Sequence, residues 1–247
     1  MRLLQGMSKS DLLALQVGAI SGLMDPEDVT DLIQATNSLW IYPGVFRKEV
    51  PHAKLTSEKC STGFVNVREV IFRTNLCDLV ASQMVMRLRL CYQGAVNCVI
   101  GSDTAAGNLA YAVGRLLGAC VYPMHKVKTE IDGKQAEEQT YTGPKLPAGW
   151  TVLRVEDLIT TKKSVCAVKA GFSKVNPEAV FLPYVLSVVD RRDDLTDPEV
   201  DGGQLISLVQ YKIQTWEPGK CPLCDLGSKA IRPNTPAGWA ELTQAVA

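Results

Sequence analysis

The chain has 247 residues, 46% of them hydrophobic, and its 26 Lys and Arg balance 26 Asp and Glu, so the formal charge is zero. The composition is that of a globular chain able to bury a substantial core, without the excess positive charge of a general nucleic-acid or membrane-surface binder. No apolar run reaches the roughly 20 residues that cross a bilayer, and eight cysteines, several inside apolar runs such as VNCVIG and LGACVYP, fit a reducing, cytoplasmic setting with few or no disulfides.

The opening stretch MRLLQGMSKSDLLALQVGAISGLMD is apolar but broken by Lys9 and Asp11, and no small-residue cleavage site ends an apolar core. It reads as an amphipathic helix and not as a leader. Asp25 and Pro26 offer an N-cap and a first-turn proline for a helix through PEDVTDLIQATNSLW. Residues 41–66 look irregular, with short strands expected at IYPGVF, AKLTS and GFVNV. Leu76, Leu79, Val80, Met84 and Leu88 form one stripe, which predicts a helix over about 74–91.

Beyond that helix the pattern changes. AVNCVI predicts a strand buried on both faces, followed by a loop at GSDTAAG, a helix at NLAYAVGRLLG and a strand at ACVYPM. Residues 125–149 predict a long loop or a mobile hairpin. TVLRVED is the next strand, SVCAVKAGF opens a helix, and AVFLPYVLSVV is a strand in which Pro183 marks a bulge or the true start. QLISLVQYKIQTW alternates as a last strand. Strands alternating with helices predict an α/β fold: a parallel sheet with helices on both faces, whose ligands bind beyond the carboxyl ends of the strands.

One such strand end reads VLRVEDLITTKKS over residues 152–164. The strand delivers Glu156 and Asp157 to the sheet edge, and Thr160, Thr161, Lys162, Lys163 and Ser164 form the turn into the next helix. Hydroxyls, backbone N–H groups and a helix N-terminus hold phosphate. Two carboxylates beside them suit the vicinal hydroxyls of a ribose, or a hydrated Mg²⁺. Taken alone, the stretch reads equally as a solvated strand end before a capped turn.

The stretch resembles the 5-phosphoribosyl-1-diphosphate (PRPP) motif of type I phosphoribosyltransferases, and other segments follow in the family's order. HAKLTSEKCSTGFVNVREV (52–70) is similar to the H-x-x-L-T-S-G-K-H-S segment of orotate phosphoribosyltransferases, and VNCVIGSDTAAGNLA (96–110) to the family's strand and pyrophosphate loop. HKVK (125–128) opens a loop where the family has its lysine-bearing lid, SVVDRRD (187–193) resembles its strand-end Asp-Arg, and KCPLCDLGSKAIRP (220–233) resembles the tail of a long orotate subgroup.

The resemblance implies the type I phosphoribosyltransferase fold with a small N-terminal hood, divided into 1–72 (N-terminal helices and hood), 73–218 (PRPP-binding core) and 219–247 (tail). It implies transfer of phosphoribose from PRPP to orotate with Mg²⁺ held mainly through PRPP, in a cytoplasmic homodimer with no nucleic-acid or membrane partner. Glu156 and Asp157 would hold the ribose, Thr160 to Ser164 the 5-phosphate, and Ser102, Asp103, Thr104 and Lys59 the pyrophosphate side. Lys126 and Lys128 would act from the lid together with Asp157, and Phe64 and Arg191 would bind orotate. The sequence departs from the pattern at Lys162 and Glu58, where the family has Gly, at Cys60, where it has His, and at Ser102, Ala105 and Ala106. A PRPP or nucleotide sensor without catalysis, or a transferase for another base, is the alternative.

Two features stay open. Arg154 interrupts the apolar quartet of its strand and either faces an open side or pairs with an acid. Cys221 and Cys224 form a CxxC with no second pair at zinc spacing, which reads as a structural turn, a zinc site shared across a dimer or with distant cysteines, or a redox pair.

Overall fold

In the computed structural model, which describes residues 2–131 and 134–244 and only the backbone within 129–131 and 134–137, the chain begins with α1 (Lys9–Ala14) and α2 (Pro26–Ala35). Each starts with a reciprocal capping box, Ser8 with Asp11 and Asp25 with Asp28, which satisfies N–H groups that a helix start leaves unpaired. Short elements follow: β1 (Leu39–Ile41), β2 (His52–Lys54), β3 (Cys60–Ser61), β4 (Gly63–Val65) and α3 (Arg68–Ile71). Next come α4 (Thr74–Cys91), β5 (Cys98–Gly101), α5 (Ala105–Leu117), β6 (Cys120–Val121), β7 (His125–Ile131) and β8 (Lys134–Thr140). The chain continues through β9 (Thr151–Ile159), α6 (Lys163–Val175), β10 (Val180–Asp190), β11 (Glu199–Val200), β12 (Gly203–Gln210) and β13 (Thr215–Trp216). It ends with α7 (Pro222–Asp225), β14 (Ala230–Ile231) and α8 (Pro236–Gln244).

The main sheet runs β11-β12-β10-β9-β5-β6, parallel throughout except for the antiparallel β11 edge. Its strands are apolar on both faces because α4 and α5 cover one side and α6 the other. The register shifts between Phe181 and Val185, so Pro183 sits at an irregularity, where a missing N–H is tolerated. The residues expected to form a lid form the β7–β8 hairpin. Its base rests on α6 at Gly171, where a Cβ would lie 1.8 Å from the Gln139 carbonyl oxygen.

Two expectations about boundaries change. Val29, Leu32 and Ile33 of α2 are fully buried with Leu76, Leu79 and Met84 of α4, so the N-terminal helices complete the main core. The hood is the 39–66 segment joined by the tail: a second sheet runs β13-β3-β2-β14, over a separate core that includes Trp40, Tyr42, Leu223 and Leu242. The last strand of the main sheet therefore ends at Gln210, and Thr215–Trp216 crosses to pair with β3. Arg154 pairs with an acid: it is 2% exposed, its Nη1 donates to Asp201 at 2.6 Å, and its guanidinium lies 5.6 Å from the Phe181 ring.

Candidate active site

The register of the sheet places the chemistry. Gly101 at the end of β5 pairs with Val155 of β9, so Ser102, just past β5, meets Glu156, the next residue along β9, at the carboxyl edge. Ser102 Oγ donates to Glu156 Oε2 at 2.9 Å, and both side chains are buried. Gly101 is required there because a Cβ would lie 2.4 Å from the Ala106 carbonyl oxygen, where α5 returns across the strand end. The peptide between Asp103 and Thr104 is cis.

A cavity of about 570 Å³ opens at this edge. It brings together Ser102, Asp103, Lys126, Glu156, Asp157, Lys163 and Ser164. Thr160, Thr161 and Lys162 line a dent of about 20 Å³ that shares Glu156, Lys163 and Ser164 with it. Thr104 faces a neighbouring groove with His125. Lys128 lies two residues along β7 from Lys126 and, like Lys59, Phe64 and Arg191, does not line the cavity. Lys59 Nζ meets Glu217 at 2.7 Å, Phe64 packs on Trp239 with ring centroids 6.1 Å apart, and Arg191 Nε is buried without a hydrogen-bond partner.

Sequence reasoning missed Arg68 and Gln139, which also line the cavity. Arg68 stands at the start of α3, directly after the GFVNV segment, and its charge opposes the rise of the Asp157 carboxyl. Gln139 Oε1 accepts from the Asp103 N–H at 3.4 Å, so the hairpin touches the loop after β5. A cationic residue closing an apolar hood segment was the only sequence signal for Arg68; none existed for Gln139.

The electrostatics are uneven by construction. Burial, then the neighbouring Asp157 charge, pushes the Glu156 carboxyl up to about 8, against the favourable Ser102 bond. Glu156 Oε1 has no partner, so one buried acceptor faces a cavity with nothing to accept from. Burial also raises Asp157, partly offset by the Leu158 N–H and Arg68. Both site helices, α5 and α6, start without a side-chain cap and without an acid in the first turn, in contrast to α1 and α2. Their first N–H groups and positive dipole ends are left for an anion.

The two departures at glycine positions are accommodated by backbone geometry. Lys162 and Glu58 keep the left-handed conformation, with φ of 62° and 64°. Each side chain is tied down: Lys162 Nζ to Asp197 at 2.8 Å and to the Glu199 carbonyl, and Glu58 to Lys54 at 2.9 Å and to Arg232. The Lys162 ammonium is thus turned onto the 197–199 loop, and only its backbone contributes N–H geometry to the 160–164 turn. Left-handed φ costs a non-glycine residue about 1–2 kcal/mol, a cost these ion pairs offset in part.

The donor set also bears on a metal. Asp103, Glu156 and Asp157 are hard oxygen donors, as Mg²⁺ requires, but among the described residues they do not converge into a cage of three ligands.

No family model matches the chain. It is 26% identical over 213 residues to the orotate phosphoribosyltransferase of Desulforamulus reducens, covering 86% of this chain and 98% of that one. It is 28% identical to the orotate phosphoribosyltransferase of Caldicellulosiruptor bescii, over 74% of this chain and 88% of the relative. The crystal structure of orotate phosphoribosyltransferase from Aeropyrum pernix superposes with a TM-score of 0.53 at 15% identity, over 74% of this chain and 94% of that one. The chain has the type I phosphoribosyltransferase fold and is similar in sequence to orotate phosphoribosyltransferases along most of its length.

Proposed function

We propose that the protein transfers the phosphoribosyl group of PRPP to orotate, giving orotidine 5′-monophosphate and pyrophosphate, a pyrimidine nucleotide synthesis step. The observation that carries this is the pairing of Glu156 and Asp157 with an uncapped helix start in one cavity. Glu156 and Asp157 accept from the ribose hydroxyls, and the orphaned Glu156 Oε1 gains a donor. The backbone of 160–164 and the α6 N-terminus hold the 5-phosphate. Ser102, Asp103, Thr104 and the α5 N-terminus take the pyrophosphate, with Arg68, Lys126 and Lys163 supplying positive charge.

As the bond from C1 of the ribose to pyrophosphate oxygen breaks and the bond to orotate nitrogen forms, charge builds on the leaving group. Cations fixed in advance stabilise that charge without reorganising. Asp103, Glu156 or Asp157 would stand beside a Mg²⁺ carried by the ligand, which would supply further positive charge to the site. The β7–β8 hairpin, which carries Lys126 and Lys128, excludes water that would hydrolyse PRPP. Lys59, Phe64 and Arg191 remain the proposed contacts for pyrophosphate and orotate, reached by closure of hood and hairpin over the ligands.

A homodimer is part of the reading: Phe72 and Tyr111 are 55% and 66% exposed beside a groove of about 670 Å³ that a second copy would cover. Eight free cysteines support the cytoplasmic setting.

The test is loss of orotate absorbance with PRPP and Mg²⁺, with Glu156→Gln/Asp157→Asn as control. Turnover that the double variant abolishes supports the reading. PRPP binding that the variant abolishes, without pyrophosphate release with orotate, favours the sensor or another base; the position of Lys59, Phe64 and Arg191 outside the cavity motivates that second reading.

A further inference from the structure

The proposed reaction leaves one cluster of reactive side chains without a role. His52 of β2, Cys60 of β3, and Cys221 and Cys224 at α7 place their ligand atoms all within 4.8 Å of one another. His52 Nε2 lies 3.6 Å from Cys221 Sγ and 3.4 Å from Cys224 Sγ, and the Cys60 and Cys224 sulfurs are 3.7 Å apart. A tetrahedral Zn²⁺ with bonds of about 2.3 Å to sulfur and about 2.0–2.1 Å to nitrogen separates its ligands by about 3.8 Å between sulfurs and about 3.5 Å between sulfur and nitrogen. These three spacings match those edges. The sulfurs are also too far apart for a disulfide, whose bond is about 2.05 Å.

Packing alone explains buried thiols, which behave as small hydrophobes. It does not explain a fully buried histidine with a ring nitrogen aimed at two of them. The hydrogen bonds around His52 fix what that nitrogen can do. Ser228 Oγ donates its one proton to the Val50 carbonyl at 2.7 Å, so it must accept from His52 Nδ1–H, 2.9 Å away. The proton therefore sits on Nδ1 and the Nε2 lone pair points into the cluster. A histidine ligand oriented through its other nitrogen is the usual outer support of a metal site.

We propose that His52, Cys60, Cys221 and Cys224 bind a structural Zn²⁺ that fastens the tail to the hood. All four positions are filled by protein, which leaves none open for catalysis. Three soft sulfurs and one imidazole exclude Mg²⁺ and Ca²⁺. Binding releases the three thiol protons to solvent and none from His52, leaving a site of net charge −1, with no change of oxidation state. The need is physical: the hood core is small and separate from the main core, and small units generally require a staple. The metal would join β2 and β3 to residues more than 160 positions away in sequence.

The experiment uses the full chain purified without a histidine tag. Elemental analysis after gel filtration should find about one zinc per chain, and Co²⁺ exchange should give the thiolate-to-cobalt charge-transfer band and intense visible bands of a tetrahedral sulfur site. Cys221→Ser/Cys224→Ser should lower the metal to about a tenth, while Cys91→Ser, outside the cluster, should keep it. If the double variant fails to fold, alkylation of the wild type decides: Cys60, Cys221 and Cys224 should be protected and Cys91 and Cys166 labelled. Substoichiometric zinc after incubation with Zn²⁺, a cobalt spectrum without thiolate bands, equal alkylation of all five cysteines, or full zinc in the double variant would each overturn the proposal.

Discussion

The sheet-edge cavity and the hood–tail cluster are built on opposite plans. In the cavity, short runs of consecutive residues from the β5 and β9 ends meet single residues of α3 and the hairpin, and are left electrostatically unfinished: an orphaned carboxylate oxygen, adjacent acids and two uncapped helices. In the cluster, ligand atoms from distant segments converge, and both His52 ring nitrogens and the Ser228 hydroxyl have partners. Unfinished polarity costs stability and is what a ligand completes, whereas a closed set of ligands stabilises the fold and offers a substrate nothing. The two regions should therefore fail separately.

The largest expected effect follows from that separation. Glu156→Gln/Asp157→Asn should lower transfer by at least about a thousandfold, since both proposed ribose acceptors lose charge, while steady-state zinc content stays unchanged; loss of both would mean the regions are not independent. Next is Gly101→Ala, which forces a Cβ against the Ala106 carbonyl. It should cost about 1–3 kcal/mol, read as a drop in denaturation midpoint, and should widen the gap between Ser102 and Glu156.

The raised Glu156 carboxyl makes a two-part prediction. Its contribution to stability is greatest below its ordinary value of 4.5 and is lost as pH rises through about 8, above which a buried charge remains. Glu156→Gln should therefore melt higher than wild type at pH 9 and alike near pH 4; a lower midpoint at pH 9 would contradict the burial argument. Ribose hydroxyls favour the carboxylate, so PRPP binding at pH 7 should release protons, seen as a dependence of calorimetric heat on buffer, and affinity should rise with pH up to about 8.

Arg68→Ala should weaken PRPP binding by about tenfold, as expected for one lost charge contact, and should raise the Asp157 carboxyl further by removing an opposing charge. Its proton titration followed by NMR would check the direction. The smallest effect belongs to Lys162→Gly. Relief of the left-handed backbone and loss of the half-exposed Asp197 pair nearly cancel, so activity should stay within about threefold of wild type. A large loss would show that the ammonium turns back onto the phosphate.

Much of the cavity was legible because strand ends in a parallel sheet carry their chemistry in consecutive residues. Glu156-Asp157 and the 160–164 turn could be placed from period and turn signals, as could the helix over Thr74–Cys91, whereas Ser102-Asp103 after β5 drew its role from the family resemblance alone. Sequence also fixed that Lys162 and Glu58 stand at positions where the motif has glycine, but not that both would keep a left-handed backbone under ion pairs formed with residues at 197 and 232.

Tertiary structure alone decided the rest. The CxxC at 221 read as half a site because its partners, His52 and Cys60, are over 160 residues distant and reach it only through pairing of β14 with β2 and β13 with β3. Gln139 enters the cavity only because the hairpin folds back on α6. Local pattern determines what a strand end can carry, since period and turn chemistry act over a few residues; which distant segments close on each other depends on the sheet order, which no local pattern encodes.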